Sequence, residues 1–216
     1  MTVAAVLIAP SPADALAPTE GLPLVRRLID VAWSGGAMPV VVVVPDPGDD
    51  VARAVDGTPA LVVSPAPDEP RGIAWFTAGL EAALATVTGT RAALLWPVRY
   101  AWLDPETVTS LIEAHGAQPA SIVRAAFGGA PGFPALVPST LLGRLRELRG
   151  RTGEEALAAL AVGGVPAVLV ELGDPGVTHD ASTALTALPP FEGPAEPVAG
   201  PPPEWGASEA PLAAEE

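Results

Sequence analysis

Apolar residues along the chain fall into short unbroken blocks and longer helical stripes, and the two kinds alternate. Residues 3–9 are a continuous apolar run of strand length, the pattern of a strand buried on both faces. Residues 22–33 have helical spacing instead, with Leu24, Leu28, Ile29 and Ala32 on one side, and Gly35-Gly36 ends the stripe. Residues 40–44 repeat the strand signal and stop at the turn residues Pro45-Asp46-Pro47-Gly48. A short helix over 49–55, a strand over 60–63, a long helix over 73–85 and a strand over 92–96 follow. Asp104-Pro105-Glu106 predicts a helix start, with Asp104 as N-cap and Pro105 at the first helical position, running to Ala114. Strands are predicted over 121–125 and 133–137, joined by a glycine-rich turn at 128–132. Ser139 is expected to cap a helix to Leu148, followed by a helix over 153–162, a strand over 165–171 and a last short helix over 180–188.

Strands alternating with helices mean an α/β fold with a mainly parallel sheet flanked by helices. The pattern stops after Leu188. Residues 189–216 hold six glutamates, many prolines and no basic residue, the composition of a disordered acidic tail. The expected organisation is therefore one domain over 1–188 and a tail over 189–216.

Charge narrows the function classes. Net charge is −14 in 216 residues, and all 11 basic residues are arginine. Lysine chemistry is excluded, and so acidic a chain is not expected to bind nucleic acid. There is no cysteine, which removes disulfides, thiolate metal sites and cysteine nucleophiles and suits a cytoplasmic location. No apolar run reaches membrane-span length, and no basic residue precedes the first apolar run, so neither a membrane anchor nor a signal peptide is expected.

Six segments, in order, carry a resemblance: VLIA at 6–9, GLPLVRRLIDVA at 21–32, PDEPRGIAWFTAGLEAAL at 67–84, LLWPVRYAWLDPETV at 94–108, GGAPGFPALVP at 128–138 and DASTALTAL at 180–188. Together the chain resembles the MobA-like nucleotidyltransferases. The resemblance implies a Rossmann-like nucleotidyltransferase fold, of the kind seen in nucleotide-diphospho-sugar transferases. It also implies a family reaction in which a nucleotide passes to a phosphorylated acceptor with CTP or GTP and Mg2+. The family's first loop offers glycine amides, an arginine and a lysine to the phosphates. Here those positions read Pro10, Asp14, Leu16 and Thr19. Proline has no N–H to donate, and Asp14 reverses a charge. The family's metal-binding aspartate after the fourth strand is replaced by Arg99, the second closing acid by Ser182, and the histidine of its Gly-His-Pro by Phe133.

These departures lead to the expectation of a non-catalytic binding or regulatory protein without cofactor or metal, with a protein or a small molecule as partner. Two alternatives stay open. One is an active transferase with a rebuilt site around Asp14, Asp46, Asp104 and Asp180, acting on a molybdopterin-like or other phosphorylated acceptor. The other is a binder of small molecules or anions that uses Arg71, Trp75, Arg99, Tyr100 and Trp102 as ligand contacts. Asp46 and Asp104 also read simply as a turn former and a helix cap. Trp33 and Trp96 read as packing residues, and Trp205 stands alone in the tail. His115 reads as a helix-end residue favoured by the macrodipole, and His179 has the nearby Asp174 and Asp180 as potential orienting carboxylates. Arg144, Arg146, Arg149 and Arg151 read as one solvated helix end.

Overall fold

In the computed structural model, which describes residues 2–193, the apolar blocks become strands and the stripes as far as Val162 become helices. The chain opens with β1 (Thr2–Ile8), a four-residue helix α1 (Pro12–Ala15), and a short ribbon of β2 (Pro18–Thr19) and β3 (Leu22–Pro23). Then come α2 (Leu24–Ser34), β4 (Val40–Val43), α3 (Asp50–Ala54), β5 (Ala60–Val63), α4 (Ile73–Thr86) and β6 (Thr90–Pro97). The second half holds α5 (Pro105–Ala117), β7 (Ile122–Phe127), β8 (Ala130–Pro138), α6 (Leu142–Glu147), α7 (Gly153–Val162) and β9 (Ala167–Glu171).

Seven strands form one sheet in the order β5-β4-β1-β6-β8-β7-β9. Only β8 runs against the others, because the Gly128-Gly129 turn, with both residues at positive φ, folds it back on β7 as a hairpin. The mainly parallel arrangement expected from the sequence is what forms.

Strand period two sorts the core into two faces. On β1, Val3, Ala5 and Leu7 join α2 and α5 in one cluster, while Ala4 and Val6 face α4 and α7 in the other. Full burial of Leu24, Leu28 and Ile29 on α2 contributes about 1.5–3 kcal/mol each. Asp104 caps α5 as expected, its carboxylate accepting the Glu106 N–H at 2.9 Å.

Several details differ from the sequence reading. Trp33 is 48% exposed, because the α2 stripe turns it to solvent, whereas Trp96 is fully buried with its indole N–H donating to the Tyr100 carbonyl at 3.0 Å. The Ser139 side chain makes no capping bond; residues 139–141 form a 3-10 turn leading into α6. Residues 180–188 do not form an α-helix, and only Leu185–Ala187 coil as a 3-10 turn. The Glu192 N–H donates to the Gly173 carbonyl at 2.8 Å, so the chain stays joined to the fold past Leu188. The tail residues 194–216, with Trp205, lie outside the described residues. Among the described residues no helix is long and apolar enough to cross a membrane.

His115 illustrates competition between two effects. The helix macrodipole at the end of α5 favours imidazolium. The ring is 1% exposed, however, and neither nitrogen has a hydrogen-bond partner among the described residues. Burial wins and holds its pKa below the ordinary 6.5. The unfolded chain therefore binds the extra proton first as pH falls. Stability is expected to be full above about 6.5 and to decline as pH drops from there toward the lowered folded value. His115→Leu should flatten that part of a urea-midpoint profile against pH; an unchanged slope would show that another group sets it.

Candidate functional site

The carboxyl ends of β1 and β6 open into a cleft of about 760 Å3. In an open α/β sheet this is the ligand-binding end. Ile8, Leu24, Leu95 and Val98 make its floor apolar.

The first wall is the loop after β1, with Pro10, Ala13 and Asp14 facing the cleft. Ser11 caps α1: its hydroxyl oxygen accepts the Asp14 N–H at 3.2 Å, and the hydroxyl donates to the Asp14 carboxylate at 2.6 Å. The loop's backbone donors are largely consumed. The Ala9 amide donates to Val43, that of Ala15 to Ser11 and that of Leu16 to Pro12. Pro10 and Pro12 have none to give. Over residues 9–16 only the Ser11 and Ala13 amides remain without a partner among the described residues. Leu16 packs against the core, and Thr19 is buried with its hydroxyl donating to the Ala17 carbonyl at 3.4 Å, so neither lines the cleft.

The second wall joins the starts of α4 and α7. Gly72 precedes α4 with φ 93 and ψ −126, a conformation open to glycine, and Arg71 and Trp75 flank it on the cleft. The Arg151 carbonyl accepts the Ile73 N–H at 3.0 Å, and a Cβ on Gly72 would lie 2.5 Å from that same oxygen. Beside it, Thr152 and Glu155 form a capping box. The Thr152 Oγ1 accepts the Glu155 N–H at 3.3 Å, and the Glu155 carboxylate accepts the Thr152 N–H at 2.8 Å. That bond from the Thr152 backbone is the main cause of a lowered Glu155 pKa.

Arg99 forms the third wall. Its guanidinium lies 5.0 Å from the Tyr100 ring centre and donates to the Tyr100 hydroxyl at 3.2 Å. Tyr100 does not line the cleft itself; its ring sits 5.2 Å from Phe133, which does. The Arg99 carbonyl accepts the Ala181 N–H at 2.7 Å, which brings Ala181 to the rim. Behind Phe133, Arg124 pairs with Glu154 at 2.7 Å, so that wall carboxylate is neutralised.

Of the residues singled out in the sequence, Pro10, Asp14, Arg71, Trp75 and Arg99 thus converge on one open space. Trp102 does not line it; its indole N–H donates to the Thr183 carbonyl at 3.0 Å, and Arg27 lies over its ring at 5.8 Å. Ser182 is off the cleft as well, donating its hydroxyl to Asp180 at 2.5 Å. That bond is the main reason the Asp180 carboxyl titrates below its usual range.

The acids of the rebuilt-site alternative are dispersed. Only Asp14 lines the cleft. Asp46 accepts the Val51 and Ala52 amides at 3.2 and 2.9 Å, and Asp104 is the α5 cap. His179 sits 2.8 Å, through Nδ1, from the Pro175 carbonyl. Among the described residues no three histidine, aspartate or glutamate side chains converge, and of the carboxylates on the cleft Asp14 accepts the Ser11 hydroxyl while Glu154 pairs with Arg124. The wall from Thr152 to Glu154 was not singled out as part of a site, although Thr152-Gly153-Glu154-Glu155 is a readable capping-box signature.

Solved structures share this architecture. Rv0371c of Mycobacterium tuberculosis H37Rv, in complex with manganese, superposes with a TM-score of 0.59 at 21% identity, covering 79% of this chain and 89% of that one. The 2-C-methyl-D-erythritol 4-phosphate cytidylyltransferase of Thermus thermophilus gives 0.62 at 18% identity, covering 87% and 95%. A CMP:2-keto-3-deoxy-manno-octonic acid synthetase complexed with CTP gives 0.63 at 14% identity, covering 80% and 90%. At these identities the likeness shows the nucleotide-diphospho-sugar transferase-like fold. No curated protein matches the sequence. Residues 14–171, well over half of the chain, match the family described as the MobA-like NTP transferase domain, and the chain belongs to that family.

Proposed function

We propose that this domain binds a small molecule in the cleft between β1 and β6 and has lost nucleotidyl transfer. The observation that carries the reading is the loop after β1. A triphosphate needs several free amides and cations there. This loop instead offers two remaining amides, two prolines and the Asp14 carboxylate. Arg99 at the metal position supports the same reading, since a guanidinium cannot ligate a cation. Among the related structures, Rv0371c was solved with manganese and the octonic acid synthetase with CTP.

The open cleft favours a small-molecule ligand over a protein partner, because a recessed apolar space of this size suits a compact ligand. Isothermal titration of CTP and GTP, each with and without Mg2+ or Mn2+, is expected to give no heat of binding up to millimolar nucleotide. Metal-dependent binding at micromolar strength, or release of pyrophosphate in the presence of an acceptor, would overturn the proposal.

A further inference from the structure

We infer that the ligand of this cleft is an apolar or aromatic acid carrying a single carboxylate, held by Arg71 and Arg99 without a metal ion. This rests on the reading that metal-dependent nucleotide chemistry has been lost.

The first ground is the state of the arginines. Among the described residues Arg27, Arg53, Arg124, Arg146 and Arg149 each sit in an ion pair. Arg26 and Arg144 donate to backbone carbonyls. Among the described residues Arg71 and Arg99 have no carboxylate within ion-pair distance, although acids outnumber bases 25 to 11 in the chain. Arg91 and Arg151 share that state but do not line the cleft. Both cleft arginines lie against an aromatic ring instead, Arg71 at 5.9 Å from the Trp75 centre and Arg99 at 5.0 Å from Tyr100. Stacking of this kind restrains a guanidinium and leaves N–H groups at its edge for a carboxylate fork.

The second ground is the charge the walls tolerate. Glu154 is cancelled by Arg124. Asp14 remains, held by Ser11, and Asp180 lies near enough to Arg99 for its charge to be felt while bonding to Ser182. Two arginines set against Asp14 on the wall, with Asp180 also near Arg99, suit no more than a single negative charge, and a di- or triphosphate meets too little positive charge. The third ground is the interior. Leu24, Leu95, Val98, Trp75 and Phe133 present apolar and aromatic surface that a ring or branched chain would cover.

The test uses the full chain and two isosteric probes, 2-naphthoate and 2-naphthamide, in isothermal titration. The acid is expected to bind at least tenfold tighter than the amide. Arg71→Gln and Arg99→Gln should each weaken the acid about tenfold or more and leave the amide unchanged. Arg99→Lys, which keeps the charge and loses the fork, should weaken it less. Urea midpoints equal to that of the unmodified chain establish that the variants are folded. Equal binding of acid and amide, no binding of the acid, or insensitivity to both glutamine variants would overturn the inference. The same titrations include CTP with Mg2+. Silence of that nucleotide together with silence of the acid overturns only this inference, whereas tight metal-dependent CTP binding overturns the loss of nucleotide chemistry and this inference with it.

Discussion

Gly72→Ala is expected to destabilise the domain by about 3 kcal/mol or more, read as a fall in the urea midpoint at unchanged m-value. Two costs add. A side chain at φ 93 and ψ −126 occupies a backbone region nearly closed to L-residues. Its Cβ would also lie 2.5 Å from the Arg151 carbonyl oxygen, and that oxygen cannot retreat freely because it accepts the Ile73 N–H at 3.0 Å. Relief requires the start of α7 to move away from the start of α4. Those two starts form one wall of the cleft, so the variant should also lose affinity for a cleft ligand while still folding in the cold. A urea midpoint within error of the unmodified protein would mean that the wall is softer than this geometry implies.

Asp174→Ala is expected to cost about 3 kcal/mol, because three donors lose their acceptor at once and each buried unpaired group costs about 1–3 kcal/mol. The Asp174 carboxylate is 1% exposed. It accepts the Thr107 hydroxyl at 2.6 Å, the Gly176 N–H at 2.8 Å and the Asp104 N–H at 3.1 Å. It thereby fastens the segment after β9 to the start of α5. Burial raises its pKa against the opposing pull of the Thr107 bond. A raised folded value means that the native state holds the proton more tightly. The Asp174 contribution is therefore full below the usual carboxylate range and is lost as pH rises through the raised value. Asp174→Asn keeps an acceptor in place and removes the titration, so it should cost well under half of the alanine effect and show no such pH dependence. Equal losses for alanine and asparagine in thermal melts would mean that packing, not hydrogen bonding, sets the effect.

Much of the fold was legible because burial writes itself into composition. The valine run of β4 can only be a strand covered on both faces. Asp104-Pro105 fixed a helix start through its own side-chain chemistry. What escaped depends on contacts distant in sequence. Nothing local says that the α2 register leaves Trp33 outside or that His115 is sealed under neighbouring elements. The last predicted helix failed because Asp180 spends its side chain on the Ser182 amide and hydroxyl, a local bond that competes with helix. The site divides in the same way. Pro10, Asp14, Trp75 and Arg99 were visible through the family pattern, since each replaces a residue or segment with an assigned task. Tyr100 and Trp102 come one and three residues after Arg99, yet the chain turns there, sending Trp102 toward Thr183 and placing Tyr100 beside Phe133. The α7 wall comes from some eighty residues away and is brought in only by its packing against α4.

The pairing of β1 also sets the order in which the chain can be completed during synthesis. Thr2 lies opposite Thr90 and Ile8 opposite Pro97, so β1, made before the other strands of this sheet, waits for its inner neighbour until β6 emerges from the ribosome. At about 5–20 residues per second that delay is on the order of ten seconds. During it β1 has only β4 to hold it, one edge of a strongly apolar segment open to any other nascent chain. The cleft closes later still, because its rim includes Ala181. Binding competence is thus acquired only when nearly the whole domain has been made, and a ligand cannot assist the early steps of folding.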